Sequence, residues 1–367
     1  MDDRDRIEKA FSLARAARGS TLPNPAVGAV VWDARGKVLA EAATSPSGRP
    51  HAERLALEKV GNRARGGTMA VTLEPCVAFP GKKSPPCAAA IILAGVERVV
   101  VGCEDPNPLV RGKGIHAMRR AGIRVEILDL EGRIEDFYAG FGRFLSAGRP
   151  RVTLKVAMSA DGMASAGAGE RTAITGDEAR GFVHALRGVS DAVLVGANTV
   201  AIDDPHLDVR MASGPSPMPL VVAGSSPLPG ERFLWSNPRS VVLGCGRPAG
   251  LPARVRFEAL SGHGRVDLGA LLDWCGKRGI HDLLVEPGPG LLEGFIASGA
   301  WDRLWVLRSP APLGRGIPFD PRGLLPKTHP VRSIPLGGDV AELWTNPASV
   351  ADVPSEGPSS GDDFPKG

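Results

Sequence analysis

His51-Ala52-Glu53, Thr72-Leu73-Glu74-Pro75-Cys76 and Pro85-Pro86-Cys87 belong to one stretch, residues 51–87, whose reading decides what the first half of this chain is. One imidazole and two thiols supply three ligands suited to zinc. They leave the fourth tetrahedral position open, as in catalytic rather than structural sites. Water at such a position ionises near neutral pH and becomes a nucleophile. Glu53, two residues from the imidazole, is placed to take that proton and hand it to a departing amine.

His-x-Glu followed by Pro-Cys and a second Cys is the pattern of zinc deaminases, which usually closes as Cys-x-x-Cys. Here ten residues separate Cys76 from Cys87. The insert holds Pro80, Gly81, Pro85 and Pro86, so it reads as a loop that returns the chain to the metal. A buried cysteine taken alone packs as a small hydrophobe. The imidazole, the carboxylate and two thiols, each preceded by proline, favour a metal instead. A closed structural zinc would need a fourth ligand, and no further histidine or cysteine lies between Glu53 and Cys103.

Outside this stretch the chain has room for a second domain, with 367 residues in all. Hydrophobic residues at 43% and charged residues at 23% fit a globular protein. The net charge of +4 is spread out, and no basic run carries interleaved aromatics, which argues against nucleic acid as a partner. Three cysteines lie outside the motif (Cys103, Cys245 and Cys275) and do not form the pattern of a disulfide framework. Met1-Asp2-Asp3-Arg4-Asp5 is the wrong chemistry for a signal peptide, and no apolar run approaches membrane-spanning length. These features point to a cytoplasmic protein with no membrane partner.

Strand-like and helix-like segments alternate on both sides of Gly148-Arg149-Pro150, and no internal repeat is present. In the first half the patterns predict strands at 27–32, 37–43, 69–73, 98–102 and 123–128. Helices are expected near residues 7–18, 51–60, 87–93, 113–121 and 133–145. In the second half strands are predicted at 152–158, 192–195, 220–223, 240–243, 283–285 and 303–307. Helices are expected there at 177–187, 267–277 and 291–298, with a loop at 211–219. Such alternation gives a mostly parallel or mixed sheet covered by helices, with ligands beyond the carboxyl ends of strands. Polar clusters sit at those ends: Ser159-Ala160-Asp161-Gly162, Gly196-Ala197-Asn198-Thr199, Asp203-Asp204-Pro205 and Glu286-Pro287-Gly288-Pro289-Gly290. Lys155 lies inside an apolar strand and needs a partner. From Pro347 the chain is rich in Ser, Pro, Gly and Asp, the composition of a disordered tail.

The order of motifs resembles the bifunctional pyrimidine deaminase/reductases of riboflavin biosynthesis from Ile7 to about Trp344. The first half carries Pro23-Asn24-Pro25-Ala26-Val27-Gly28, the three pieces quoted above and Asp105-Pro106-Asn107-Pro108. The second carries Leu154-Lys155-Val156-Ala157-Met158-Ser159-Ala160-Asp161-Gly162, Ala192-Val193-Leu194-Val195-Gly196, Thr199 and Asp203-Asp204-Pro205. The resemblance implies an α/β protein with a cytidine-deaminase-like three-layer domain at 1–148. A dihydrofolate-reductase-like α/β domain at 149–346 would follow, then the tail at 347–367.

The implied activity is hydrolytic deamination of a phosphoribosyl pyrimidine, then reduction of its ribosyl side chain. Zn²⁺ would be held by His51, Cys76 and Cys87, with Glu53 as proton shuttle. NADPH would contact Ala157, Thr199, Asp203, Gly288 and Gly290. Substrate would contact Asn24, Arg187, Leu207, Arg210 and Glu286, the two arginines as phosphate clamps. Assembly as a homo-oligomer through the reductase domain is also expected. Three segments depart from the family pattern. Residues 77–84 are two residues longer and lack a histidine, leaving Lys82 or Lys83 to replace an arginine. Arg171-Thr172-Ala173 lacks the usual serine and tryptophan, and Pro287 replaces a glycine. The rival expectations are a deaminase whose second domain no longer turns over, and a non-catalytic zinc-stabilised module.

Overall fold

The computed structural model describes residues 2–82, 84–165, 167, 172–224, 226–318 and 329–349. Lys83, Arg171 and the expected tail beyond Ser349 lie outside them. The chain divides into two units, one up to Ala147 and one from Gly148.

The first unit opens with α1 (Asp3–Ala17), capped by the Asp2 carboxylate, which accepts the Asp5 N–H at 2.8 Å. Ile7, Ala10, Phe11 and Ala14 recur at helical spacing and are the face it buries. β1 (Gly28–Trp32) and β2 (Val38–Ala43) form a hairpin. Its turn is tied by Asp33, whose carboxylate accepts from Arg35 and Lys37. Then follow α2 (Ala52–Val60), β3 (Thr68–Leu73), α3 (Cys87–Leu93), β4 (Arg98–Cys103), α4 (Lys113–Arg120), β5 (Arg124–Ile127) and α5 (Arg133–Ala147).

The sheet order is β2-β1-β3-β4-β5. β1 runs antiparallel to β2 and β3, whereas β3, β4 and β5 are parallel. Every residue of β1 is buried, as a strand covered on both faces must be. α1 and α5 meet edge to face through Phe11 and Phe137, while α3 packs against both α2 and α4. The carboxyl ends of β3 and β4 lie side by side, so the loops after Leu73 and Cys103 leave the sheet together.

The second unit contains β6 (Arg151–Met158), β7 (Met163–Ser165), α6 (Asp177–Gly188), β8 (Ala192–Gly196), α7 (Ala197–Asp203), β9 (Met218–Ala223), β10 (Val241–Gly244) and β11 (Arg256–Ala259). It continues with α8 (Leu268–Lys277), β12 (Asp282–Glu286), α9 (Pro289–Ser298), β13 (Arg303–Arg308), β14 (Ile317–Pro318), β15 (Arg332–Leu336) and β16 (Asp339–Thr345). The large sheet is ordered β11-β10-β9-β8-β12-β6-β13-β16-β15. Strands from β11 to β13 are parallel to their neighbours; β16 is antiparallel to β13 and β15. β12 therefore inserts between β8 and β6, although it follows them in sequence.

Several local expectations are corrected. α9 begins at Pro289 rather than Leu291, because a proline fits the first helical position, where its missing N–H has no partner to lose. β9 already starts at Met218, inside the segment expected to be a loop. The polar residues after Gly196 form α7. β7, β11, β14 and the β15–β16 hairpin carry no expectation from the sequence. Among the described residues no helix is long and apolar enough to cross a membrane.

Candidate active site

In the first unit the metal-ligand atoms of His51, Cys76 and Cys87 lie within 4.8 Å of one another. His51 is the residue capping the start of α2, just ahead of the first turn, and Glu53 lies within that turn. Cys76 lies in the loop after β3, and Cys87 is the first residue of α3. Cys76 Sγ and Cys87 Sγ are 3.7 and 3.4 Å from His51 Nδ1. A tetrahedral ion with zinc-type bond lengths holds sulfur and nitrogen ligands about 3.6 Å apart, so the donor set and its spacing fit zinc.

Glu53 is 3% exposed, and its Oε2 has no hydrogen-bond partner. Burial, together with the neighbouring Cys76, pushes its carboxyl above the usual range. A buried carboxylate oxygen left unpaired beside three metal ligands is costly unless a ligand or water completes it. The Cys87 N–H donates to Cys76 Sγ at 3.4 Å, and the interaction between the two side chains holds the Cys76 thiol well below and the Cys87 thiol well above the ordinary value. A divalent cation would keep both as thiolates.

Asn24 is held against Gly48, three residues ahead of His51. Its Nδ2 donates to the Gly48 carbonyl at 2.8 Å, and Thr21 Oγ1 donates to its carbonyl at 2.9 Å. A carbonyl only accepts, so the amide nitrogen must face Gly48 and Oδ1 is the end left for a ligand. Gly48 has φ +83°, and a Cβ there would collide with the Asn24 amide. Gly48→Ala is expected to raise KM for deamination roughly five- to tenfold, the worth of about one buried hydrogen bond. Steady-state kinetics with metal analysis would check this. Loss of metal rather than of substrate affinity would show that Gly48 serves only the backbone of His51.

In the second unit the named residues gather at the carboxyl ends of β8, β12 and β6, three adjacent parallel strands. Glu286 ends β12 and accepts from Arg187 Nε and Nη2 at 2.7 and 3.0 Å. Lys155 Nζ lies 3.5 Å from the same carboxylate, which supplies the partner its strand position required. Burial alone would raise the Glu286 pKa, but Arg187 and Lys155 outweigh it and hold the carboxyl at about 2. Ala157 is two residues beyond Lys155 on the same face of β6. Thr199 and Asp203 are one turn apart on α7. Gly288 caps α9 and Gly290 lies in its first turn. Pro287 and Pro289 carry no N–H, so in this turn backbone donors come from the two glycines.

Two of these side chains are engaged within the unit itself. Arg187 commits Nε and Nη2 to Glu286 and Nη1 to the Asp208 carbonyl at 3.2 Å, so it orients a carboxylate rather than offering an open phosphate fork. Arg210 fits a phosphate better, since its side chain is half exposed even though Nη1 pairs with Asp208. Leu207 is 1% exposed, with its side chain in the core and φ +54°, so it can present only backbone to a ligand. Residue chemistry alone did not single out His184, whose Nδ1 accepts the Arg210 N–H at 3.3 Å. Its spacing of three from Arg187 on one helix was the available signal.

The first unit has the fold and ligand set of a cytidine-deaminase-like domain, and the second the sheet of a dihydrofolate-reductase-like reductase. Residues 1–103 match the family described as the cytidine and deoxycytidylate deaminase zinc-binding region, and residues 150–341 match the RibD C-terminal domain. The chain is 35% identical over 329 residues to the riboflavin biosynthesis protein RibD of Aquifex aeolicus, covering 88% of this chain and 91% of that one. A Thermotoga maritima structure described as a diaminohydroxyphosphoribosylaminopyrimidine deaminase/5-amino-6-(5-phosphoribosylamino)uracil reductase aligns with TM-score 0.76. It is 31% identical and covers 93% of this chain and 98% of its own. Acinetobacter baumannii RibD aligns with TM-score 0.73 at 33% identity, covering 94% and 98%. The chain belongs to the RibD family and is a bifunctional deaminase and reductase of riboflavin biosynthesis.

Proposed function

We propose that the first unit is zinc-dependent and deaminates 2,5-diamino-6-(5-phosphoribosylamino)pyrimidin-4-one. The second then uses NADPH to reduce the ribosyl side chain of the product to ribityl. The observation that carries the deaminase reading is the convergence of His51, Cys76 and Cys87 beside the unpartnered Glu53 oxygen. Bound zinc supplies Lewis acidity that makes water nucleophilic near neutral pH. Glu53 takes a proton from the attacking water and returns one to the leaving 2-amino group, which departs as ammonia. Asn24 Oδ1 accepts a hydrogen bond from the substrate and fixes its approach.

Bound NADPH supplies the hydride, directed at C1 of the ribose in its open imine form. Ala157, Thr199, Asp203, Gly288 and Gly290 line the cofactor's place, and the two glycine N–H groups suit its phosphates. Glu286, oriented by Arg187 and Lys155, aligns the sugar; Arg210 holds the substrate phosphate, and Leu207 contributes backbone. The work of this half is alignment of two reactants. A reducing cytoplasm would keep the metal-binding thiols available.

Ammonia and NADPH followed separately test both halves. Zinc-loaded protein should release ammonia and consume NADPH in equal amounts. Stripping the metal should abolish ammonia release while leaving NADPH oxidation with the already deaminated substrate intact. Ammonia release that survives metal removal would refute the zinc assignment. Absence of NADPH consumption with either substrate would refute the reductase assignment.

A further inference from the structure

Glu74 lies between β3 and Cys76, is 2% exposed, and accepts four backbone hydrogen bonds. Oε1 takes the N–H groups of Gly114 and Ile115 at 2.8 and 3.1 Å, and Oε2 those of Gly112 and Asp105 at 2.8 and 3.2 Å. Both oxygens are thus saturated by the segment that follows β4. The contact is close, because a Cβ at Gly114 would strike the Pro75 carbonyl. Within that segment Val110 is held by its N–H to Asn107 and by its carbonyl to Lys113, both at 2.8 Å. Val110 is 2% exposed and packs with Cys76 and Cys87 in a small apolar cluster apart from the main core, with Phe79 against it.

We propose that Val110 is the apolar seal over the metal-binding thiolates and that Glu74 is the positioning residue that holds the seal in place. The inference rests on the zinc reading of His51, Cys76 and Cys87 and adds what governs retention of the metal. The apolar shell of a metal site sets how readily water and competing ligands reach the metal–sulfur bonds. Val110 excludes them from the side of the β4 loop. Its position is not fixed by its own neighbours alone, since residues 105–112 form a loop. Glu74 pins both ends of that loop, Asp105 and Gly112, to the strand end that carries Cys76. The same carboxylate satisfies the first N–H groups of α4, which would otherwise be buried without partners.

Zinc release into excess chelator, read with a colorimetric indicator on the full chain, tests the proposal without relying on turnover. Val110→Thr keeps the volume and adds a hydroxyl; Glu74→Gln keeps the shape and sets an amide NH₂ against two backbone N–H groups. Each should speed release about tenfold, the lower range of outer-shell effects, and the double variant should be no faster than the faster single. Val110→Ala is the companion variant and should also be faster. In the metal-free protein, Cys76 and Cys87 should react faster with a bulky thiol reagent in all three single variants. Release and thiol reactivity at wild-type values in the Val110 variants would overturn the seal. Effects that multiply in the double variant would overturn the link to Glu74. Wild-type protein that holds no zinc would instead overturn the metal reading on which both stand.

Discussion

Glu53→Gln should lower the rate of ammonia release by about 10²–10⁴-fold, the range for loss of a positioned general acid–base, with zinc content unchanged. The substitution is isosteric and replaces none of His51, Cys76 and Cys87, so the three ligands are kept. It removes the group able to accept the water's proton at an oxygen that has no other partner. KM should move little, because Asn24 and not Glu53 is proposed to fix the substrate's approach. NADPH oxidation with the deaminated substrate should continue at the wild-type rate. A variant that keeps its zinc and still releases ammonia within threefold of wild type would remove Glu53 from the mechanism.

The second large effect lies in the other unit. Glu286→Gln should cost about 3 kcal/mol of stability, because it leaves the partly buried Arg187 and Lys155 without their counter-charge. For a unit of about 200 residues that corresponds to a melting shift near 10 °C. NADPH-dependent reduction should fall with it, while ammonia release persists. The pH dependence has a definite sign. The folded pKa of about 2 lies below the value near 4.3 expected for an unfolded glutamate. The stabilisation is therefore complete above about pH 5 and fades as pH falls toward 2, by roughly 3 kcal/mol. Acid denaturation should show this loss in the wild type and lack it in Glu286→Gln. Equal acid sensitivity of the two would show that the ion cluster does not hold the unit together.

Much of this was legible because the residues announce their own chemistry. His51, Glu53, Cys76 and Cys87 combine rare residue types at short spacing, and metal chemistry demands those types together. Strand β8 is a continuous apolar run between helices, a pattern that fully buried parallel strands impose. The β15–β16 hairpin was not legible: Pro335 interrupts it, and only some of its positions are buried. Its place comes from pairing with β13, a long-range fact that local pattern does not carry. Arg187 was expected to clamp phosphate because the family resemblance placed it against substrate and a guanidinium binds phosphate bidentately. Its partner Glu286 lies 99 positions away in sequence, and nothing local indicates that the two meet. Val110 and Glu74 stayed hidden for the same reason, since a valine and a glutamate are ordinary until the fold brings them to the cysteines.

The insertion of β12 between β8 and β6 has a consequence for the order in which a growing chain acquires its two capacities. His51, Cys76, Cys87 and the β4 loop all lie ahead of the second unit in the chain, so the metal site is made before it. β6 and β8 emerge next, but their shared neighbour is not made until residues 282–286. Until then the gap at the centre of the large sheet leaves two strand edges unpaired, the condition under which a nascent chain most needs protection from pairing with another. The ribosome therefore delivers the hydrolytic site well before the strand that makes the reductase sheet continuous.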